Sequence, residues 1–323
     1  MATANDYASD QDVRWCPGCG DYSILKQFLT VLAQLGADPD RTVVVSGIGC
    51  SSRLPYYVNT YGVHSIHGRA PALVTGLRMT RPDLDVWVIT GDGDALSIGG
   101  NHLIHLLRRN VKAPILLFNN EIYGLTKGQY SPTSGVGQRT KSSPLGVVDA
   151  PFVPTALALG AGGTFIARSI DRDPEHLRTV LHRAHAHNGS AFVEIYQNCN
   201  VFHDGAFDAF SNKDEKAHHF LPVVHGQPLV FGPNQSLGMV LDGLQPKIVD
   251  LTAGHSVADC WVHDETDLVK AQILASLHGS VRPFGVLYAV ERPVFEVSMK
   301  EQAPAASLSL DEMLAGGRTW EVL

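Results

Sequence analysis

The run Val86-Trp87-Val88-Ile89-Thr90 has the apolar, β-branched character of a buried strand, and it stops abruptly at Gly91-Asp92-Gly93-Asp94. A helix-patterned stretch follows from Ala95 to Asn110. A second strand-like run, Ile115-Leu116-Leu117-Phe118, then ends in Asn119-Asn120. Strand, helix and strand in this order make a βαβ unit, so both polar clusters fall at the carboxyl ends of parallel strands. Open α/β sheets bind their ligands at that rim. A Gly-Asp-Gly triplet alone is ordinarily a surface turn; here its position opposite the Asn pair gives it another reading. Asp92 offers a hard carboxylate, Asn120 an amide oxygen and Ile122 a backbone carbonyl, the oxygen set that Mg²⁺ takes when phosphates complete its shell. Gly91 and Gly93 let the main chain approach phosphate, and the following helix presents its positive end. The expected ligand is thiamine diphosphate held through Mg²⁺.

The remaining periodicity fits the same architecture. Strands are predicted at 42–47, 86–90, 115–118, 164–168 and 190–196, and helices near 21–35, 70–80, 95–109 and 174–187. Strands alternating with helices of this length predict an α/β fold, a mostly parallel sheet with helices on both faces. Beyond residue 200 the pattern loosens to one helix from Asp264 to Leu277 and one strand at 285–290. The expected organisation is a binding domain over residues 1–200 with an irregular C-terminal arm over 201–323.

Composition narrows the function classes. A charged share of 18% and a hydrophobic share of 44% suit a globular chain with a buried sheet rather than a disordered one. The net charge of −7 argues against nucleic acid or an anionic membrane as partner. The sequence has no run of 18 apolar residues and no basic-then-apolar leader pattern, so the expected location is the cytoplasm.

Five cysteines carry a second signal. Cys16 and Cys19 form Cys-Pro-Gly-Cys, a tight turn able to aim two thiolates at one centre. Cys50 follows the strand at 42–47 and Cys199 the strand at 190–196, on the same rim as Asp92 and Asn120. Four thiolates suit zinc or an iron–sulfur cluster, and the spacing of one close pair with two distant singles does not separate the two. A thioredoxin-like pair is a poorer fit, because no strand precedes Trp15. Cys260 reads as a buried, inert thiol.

These residues together resemble a known family. Trp15-Cys16-Pro17-Gly18-Cys19-Gly20, Gly47-Ile48-Gly49-Cys50-Ser51, His67-Gly68-Arg69-Ala70, Gly91-Asp92-Gly93-Asp94 and the run from Asn119 to Gln129 are similar to the β subunits of 2-oxoacid:ferredoxin oxidoreductases. The two-subunit type acting on 2-oxoglutarate is the nearest in pattern. The resemblance spans about residues 10–240 and is weak over the rest. It implies a thiamine diphosphate-binding fold and one [4Fe–4S] cluster on Cys16, Cys19, Cys50 and Cys199. It further implies cofactor contacts from Ile48, Gly49, Cys50, Ser51, His67, Gly93, Asp94, Gly124 and Leu125. The implied reaction is coenzyme A-dependent oxidative decarboxylation of a 2-oxoacid, with electrons leaving to ferredoxin. The carboxylate that activates thiamine is expected on a larger α subunit carrying the pyrimidine-binding domain, since this chain reads as only one such domain.

Arg53 and Lys127 follow the two site motifs and are expected to hold substrate. Two cations suit the dicarboxylate 2-oxoglutarate better than pyruvate, although either could be a solvated loop cation or a phosphate contact. His182, His185 and His187 read as a solvated helix face, as do His218 and His219. Gly160-Ala161-Gly162-Gly163 lacks the following helix that a nicotinamide site needs. Two other classes compete. A non-oxidative thiamine decarboxylase or carboligase would use Asp92 and Asn120 but not four convergent cysteines. A zinc-stapled scaffold would use the cysteines but leave the Mg²⁺ set idle.

Overall fold

The computed structural model describes residues 2–303 and 308–316. The first sheet strand is β1 (Thr42–Ser46), followed by β2 (Tyr61–His64), β3 (Asp85–Gly91), β4 (Ala113–Asn119), β5 (Phe165–Ile170) and β6 (Ser190–Tyr196). With β7 (Phe220–Val223) and β11 (Arg282–Ala289) they form one eight-stranded sheet in the order β2-β1-β3-β4-β6-β5-β11-β7. Strands β1 to β6 are mutually parallel, while β11 runs antiparallel to β5 and parallel to β7.

Every residue of β1, β4, β5 and β6 is buried, which is why these strands read as continuous apolar runs rather than alternating ones. The alternation survives in which layer each residue enters. Val43, Val45, Val86, Val88, Ile115 and Leu117 face one core. Val44, Trp87, Ile89, Leu116 and Phe118 face the other. Helices α1 (Asp21–Leu35) and α6 (Pro174–Ala186) pack together over the second core. The first core is covered by α2 (Ala70–Thr80), α4 (Gly100–Arg109), α5 (Pro154–Gly160) and α8 (Leu268–Ser276). Helix α1 ends where Gly36 turns left-handed at φ 61° and returns its N–H to the carbonyls of Leu32 and Ala33. The single helix predicted over 95–109 is divided instead, into a short α3 (Asp92–Leu96) and α4, with Gly99 as the N-cap of the second.

Beyond residue 200 the irregular arm is not what the structure shows. Besides α7 (Lys213–His219), β7 and β11, this part holds a three-stranded sheet of β8 (Val230–Phe231), β9 (Leu237–Asp242) and β10 (Gln245–Asp250). The β9–β10 hairpin turns on Gly243, at φ 61° in the first position of a two-residue loop. Strand β11 is the strand predicted at 285–290, beginning earlier at Arg282 and carrying a register shift between Val286 and Tyr288. Helix α8 (Leu268–Ser276) lies inside the span predicted from Asp264 to Leu277, with Asp267 as its N-cap accepting the Lys270 N–H at 3.1 Å.

The segment leading into α9 (Phe295–Gln302) is tied down by buried polar contacts, and an exposed α10 (Leu310–Ala315) follows in the chain. The fully buried Asn110 donates to the carbonyls of Arg292 and Pro293 and accepts from Thr164 and Ser190. Glu296, 4% exposed, takes Arg78 Nε at 2.9 Å. The histidine run on α6 departs from its predicted solvated face. His185 stacks on Trp87 and lies 3.0 Å from Asp85, and His187 is buried against Thr164.

Near the sheet centre, Arg168 of β5 and Glu194 of β6 form an ion pair of 2.7 Å with both side chains at 0% exposure. Removing one partner strands a charge in the interior. Arg168→Met is therefore expected to lower unfolding free energy by about 3–5 kcal/mol, whereas the double variant Arg168→Met, Glu194→Leu should recover most of that loss in urea melts.

Candidate functional site

Strand β1 sends its chain to one side, into β2, while its neighbour β3 sends its chain to the other, into β4. The two exits diverge, and the crevice between them is where a doubly wound sheet accepts ligands. A cavity of about 200 Å³ lies there. Its walls include Ile48, Gly49, Cys50 and Ser51 after β1, His67 before α2, and Gly91 to Asp94 after β3. Asn120, Ile122, Gly124 and Leu125 after β4 complete them. The structure thus brings together the residues singled out for the cofactor and those singled out for the cation.

The loops are held by one carboxylate. Asp94, 2% exposed, accepts at Oδ1 from the Ile48 N–H at 3.0 Å and the Gly68 N–H at 2.7 Å, with His67 Nδ1 at 2.6 Å. Its Oδ2 accepts from Thr90 Oγ1 at 2.7 Å. With these bonds the side chain is spent on the fold, and what Asp94 can offer a ligand is main chain. His67, still 37% exposed at its side chain, is aimed by the same contact.

Asp92 is also buried, and Ser131 and Thr133 both donate to its Oδ2 at 2.6 Å. Burial holds its pKa above the usual carboxylate value against the pull of those two hydroxyls. Asn120 donates from Nδ2 to Gln197 Oε1 at 2.8 Å, which turns its amide oxygen back over the turn to accept the Ile122 N–H at 3.1 Å. Gly93 is required by contact: a Cβ there would meet the Tyr123 ring at 2.2 Å, and Tyr123 donates from its hydroxyl to Gly93 O at 2.9 Å. Tyr123, Ser131, Thr133 and Gln197 were not among the residues singled out from sequence. All four act through the long loop after β4 or the end of β6, where no local pattern marks them.

A second cavity, of about 280 Å³, shares a wall with the first through Cys50, Asn120, Gly124, Leu125 and Gln197. Cys16, Cys19, Cys50 and Cys199 all line it, while Cys260 lies elsewhere, buried against Gly238. A Cβ built on Gly124 would lie 3.5 Å from Cys199 Sγ and 3.7 Å from Cys50 Sγ, so both sulfurs flank this point of the wall. Gln197 Nε2 approaches Cys19 Sγ at 3.2 Å, and Trp15 Nε1 donates to Cys50 O at 2.7 Å. Burial pushes the Cys50 thiol up to about 12 and also raises Cys19 and Cys199. Asp21, buried next to this turn with neither carboxylate oxygen hydrogen-bonded, is itself pushed up to about 7 by burial. A thiolate at Cys19, Cys50 or Cys199 is thus disfavoured unless positive charge stands beside it. Among the described residues, no three His, Cys, Asp or Glu side chains gather tightly enough to hold a single ion.

Arg53 and Lys127 line this second cavity, not the first, together with Arg14. Arg53 Nε donates to Tyr57 Oη at 3.0 Å and its guanidinium lies 5.7 Å from the Tyr56 ring centre. Lys127 is exposed, at φ 81°.

The Asp94 contacts generate a test. Asp94→Ala orphans the Ile48 and Gly68 amides, each worth roughly 1–3 kcal/mol when left unpaired. The full chain is expected to melt at clearly lower temperature, and hydrogen exchange should accelerate selectively at residues 47–50 and 66–69.

Comparisons with known proteins agree with this geometry. A family model described as thiamine pyrophosphate enzyme, C-terminal TPP binding domain, matches residues 47–195. The chain is 49% identical to the 2-oxoglutarate oxidoreductase subunit KorB of Mycobacterium tuberculosis, over 98% of this chain and 88% of that protein. It is 43% identical to the 2-oxoglutarate synthase subunit KorB of Archaeoglobus fulgidus over 57% of this chain and 69% of that one. Among solved structures, it superposes with a TM-score of 0.79 and 32% identity on 2-oxoglutarate:ferredoxin oxidoreductase from Magnetococcus marinus, covering 98% of this chain and 97% of that one. That structure was solved with 2-oxoglutarate, coenzyme A and succinyl-CoA bound. The chain belongs to the β subunits of the 2-oxoacid:ferredoxin oxidoreductases, in the branch whose named members are 2-oxoglutarate enzymes.

Proposed function

We propose that this chain is the cofactor-bearing subunit of an enzyme that oxidatively decarboxylates 2-oxoglutarate to succinyl-CoA and CO₂. Coenzyme A is the acyl acceptor and ferredoxin the electron acceptor. The observation that carries this reading is the shared wall between the two cavities: a phosphate-type cleft and a four-cysteine pocket meet at Cys50, Asn120, Gly124, Leu125 and Gln197. A non-oxidative thiamine enzyme has no use for the second pocket, and a zinc-stapled scaffold has none for the first.

The first cavity suits thiamine diphosphate. Gly91 and Gly93 line its wall without side chains, and Asp92, Asn120 and the Ile122 carbonyl offer an oxygen set for Mg²⁺. The second suits a [4Fe–4S] cluster on Cys16, Cys19, Cys50 and Cys199. Its thiols line the cavity from three separate segments, and burial raises those of Cys19, Cys50 and Cys199, which a cationic centre would offset. When bound, thiamine diphosphate supplies the electron sink for decarboxylation and the cluster supplies the outlet for electrons. The protein's own tasks are then to bind, orient and exclude water. Asp94 holds the diphosphate loops, and Tyr123 covers Gly93. The second carboxylate of the substrate is assigned to Arg53 and Lys127, which line the cysteine cavity beside the wall it shares with the first. The activating carboxylate is assigned to the larger partner subunit, and the assembly to the cytoplasm. Among the described residues, no helix is long and apolar enough to cross a membrane.

Two experiments test this. Alanine at Cys16, Cys19, Cys50 or Cys199 is expected to lower bound iron and the broad absorption near ~400 nm in anaerobically purified protein, with Cys260→Ala at wild-type values. Colourless wild-type protein carrying stoichiometric zinc would defeat the cluster assignment. For substrate choice, Arg53→Met with Lys127→Met should shift relative kcat/KM from 2-oxoglutarate toward pyruvate in the assembled enzyme. Each lost charge-assisted bond is worth about 1.5–3 kcal/mol, or about 10- to 150-fold. Equal losses on both substrates would withdraw the dicarboxylate contact and leave the reaction class standing.

A further inference from the structure

The loop after β4 returns to the site through Ser131-Pro132-Thr133-Ser134, a turn closed by the Ser134 N–H on Ser131 O at 3.0 Å and by Ser134 Oγ on the Ser131 N–H at 2.8 Å. Ser134 Oγ also donates to Glu121 O at 2.6 Å, which ties the turn to the residue next to Asn120. Ser131 and Thr133 are 2% and 1% exposed, and both hydroxyls reach the same atom, Asp92 Oδ2, at 2.6 Å. Among the described residues no side chain donates to Oδ1. The Thr133 hydroxyl also lies 2.9 Å from Asn119 Oδ1, but it has a single proton. A bond to a carboxylate is roughly twice as strong as one to a neutral amide, so that proton belongs to Asp92. Asn119 is provided for otherwise, accepting the Glu121 N–H at 3.2 Å and donating to Glu194 at 2.8 Å.

We infer that Ser131 and Thr133 are positioning residues for the cation: by occupying Oδ2 they restrict Asp92 to one-oxygen ligation through Oδ1, and this selects Mg²⁺ over Ca²⁺. The inference rests on the reading of Asp92 as a cation ligand. Its chemistry follows from what the two ions accept. Mg²⁺ demands a small, near-octahedral shell in which each carboxylate gives one oxygen. Ca²⁺ takes six to eight oxygens and readily accepts both oxygens of one carboxylate. With two short hydroxyl bonds on Oδ2, the second oxygen is unavailable and the larger shell cannot be completed from this side. Replacing the hydroxyls by methyl-bearing side chains of similar shape frees it.

The test uses the full chain co-purified with its partner subunit, stripped of metal and cofactor by chelation. Mg²⁺ and Ca²⁺ are titrated separately at fixed thiamine diphosphate, with retained thiamine diphosphate and binding heat as readouts. The ratio of the Ca²⁺ to the Mg²⁺ dissociation constant is expected to fall by about tenfold or more in Ser131→Ala with Thr133→Val, the scale of one hydrogen bond to a charged group. Thr133→Ser, which keeps the hydroxyl, should stay at the wild-type ratio, and Ser131→Ala alone should lie between. A merely structural defect would weaken both ions together, so an unchanged ratio overturns the inference whatever the absolute affinities. If the double variant does not fold, equal ratios in Ser131→Ala and Thr133→Ser overturn it instead. Asp92→Ala separates the two levels. Unchanged metal-dependent retention in that variant would defeat the cation reading itself, whereas lost retention with an unchanged ratio in the hydroxyl variants would defeat only the positioning role.

Discussion

A single buried carboxylate organises the rim on which everything else is built. Asp94 stands at the start of the short α3, where the main chain leaves β3, and collects bonds from Ile48, Gly68, His67 and Thr90. Three loops that are distant in sequence are thereby held at one point. Without the carboxylate, the amides of half-buried Ile48 and buried Gly68 would lose their partner, and burying polar groups without partners is costly. The tight fit of Gly47 has the same origin, since a Cβ there would meet Asp94 Oδ2 at 1.8 Å. The cavity is therefore preformed by internal hydrogen bonds, and a ligand need not supply the energy to order it.

Behind the rim, the sheet carries a polar line through its apolar centre. Arg168 pairs with Glu194, Glu194 accepts from Asn119, and Asn119 accepts the N–H of Glu121. Arg168 also donates to Thr155 at 2.9 Å and Arg282 to Tyr196 Oη at 2.8 Å. A buried pair of this kind is poor evidence of stability, because desolvation offsets its attraction. Its effect here is directional. By fixing which way the Asn119 amide faces, it presents the next residue, Asn120, to the cavity. Glu121, buried near Arg282 and pushed up to about 7 by burial, takes a left-handed φ of 56° to make that turn.

How much of this could be read beforehand depends on how local the signal is. The strands β1, β3, β4, β5 and β6 announce themselves because burial on both faces demands unbroken apolar runs, and α1, α2 and α6 because their periods are uninterrupted. Gly91, Asp92, Asn120, Cys50 and Cys199 are visible because each sits at or just past the end of such a run, and Cys16 and Cys19 because they form a close pair. Strand β2 is exposed throughout and only four residues long, so Tyr61 to His64 carry no burial signature. Gly243 marked a hairpin whose short, half-exposed strands hid it. Ser131 and Thr133 lie in a loop with no periodicity and acquire meaning only when it folds back under Asp92. The histidines of α6 look like a solvated face because helical spacing does not reveal Trp87 and Asp85 on the neighbouring strand. Arg53 and Lys127 line the cysteine cavity, and no sequence pattern says which of two adjoining cavities they enter.

That adjacency is the most consequential product of the topology. One loop, Asn120 to Gly128, lines the phosphate-type cleft on one side and the cysteine pocket on the other. Where it divides them, at Gly124, a Cβ would enter van der Waals contact with two cysteine sulfurs, so the division is about as thin as a main chain can make it. The loop keeps its course through tight local bonds: Tyr123 N–H to Gln129 O at 2.9 Å, Gly128 N–H to Tyr123 O at 2.9 Å, and Lys127 N–H to Gly124 O at 3.0 Å. These turns need Lys127 at positive φ and bring Gly128 against Phe202, where a Cβ would lie 2.8 Å from the ring. Because one short segment shapes both pockets, a change that shifts it alters both together. Gln129, which lines neither pocket, and Phe202, which lines the cysteine pocket and backs Gly128, then share a role in keeping the two cavities in register.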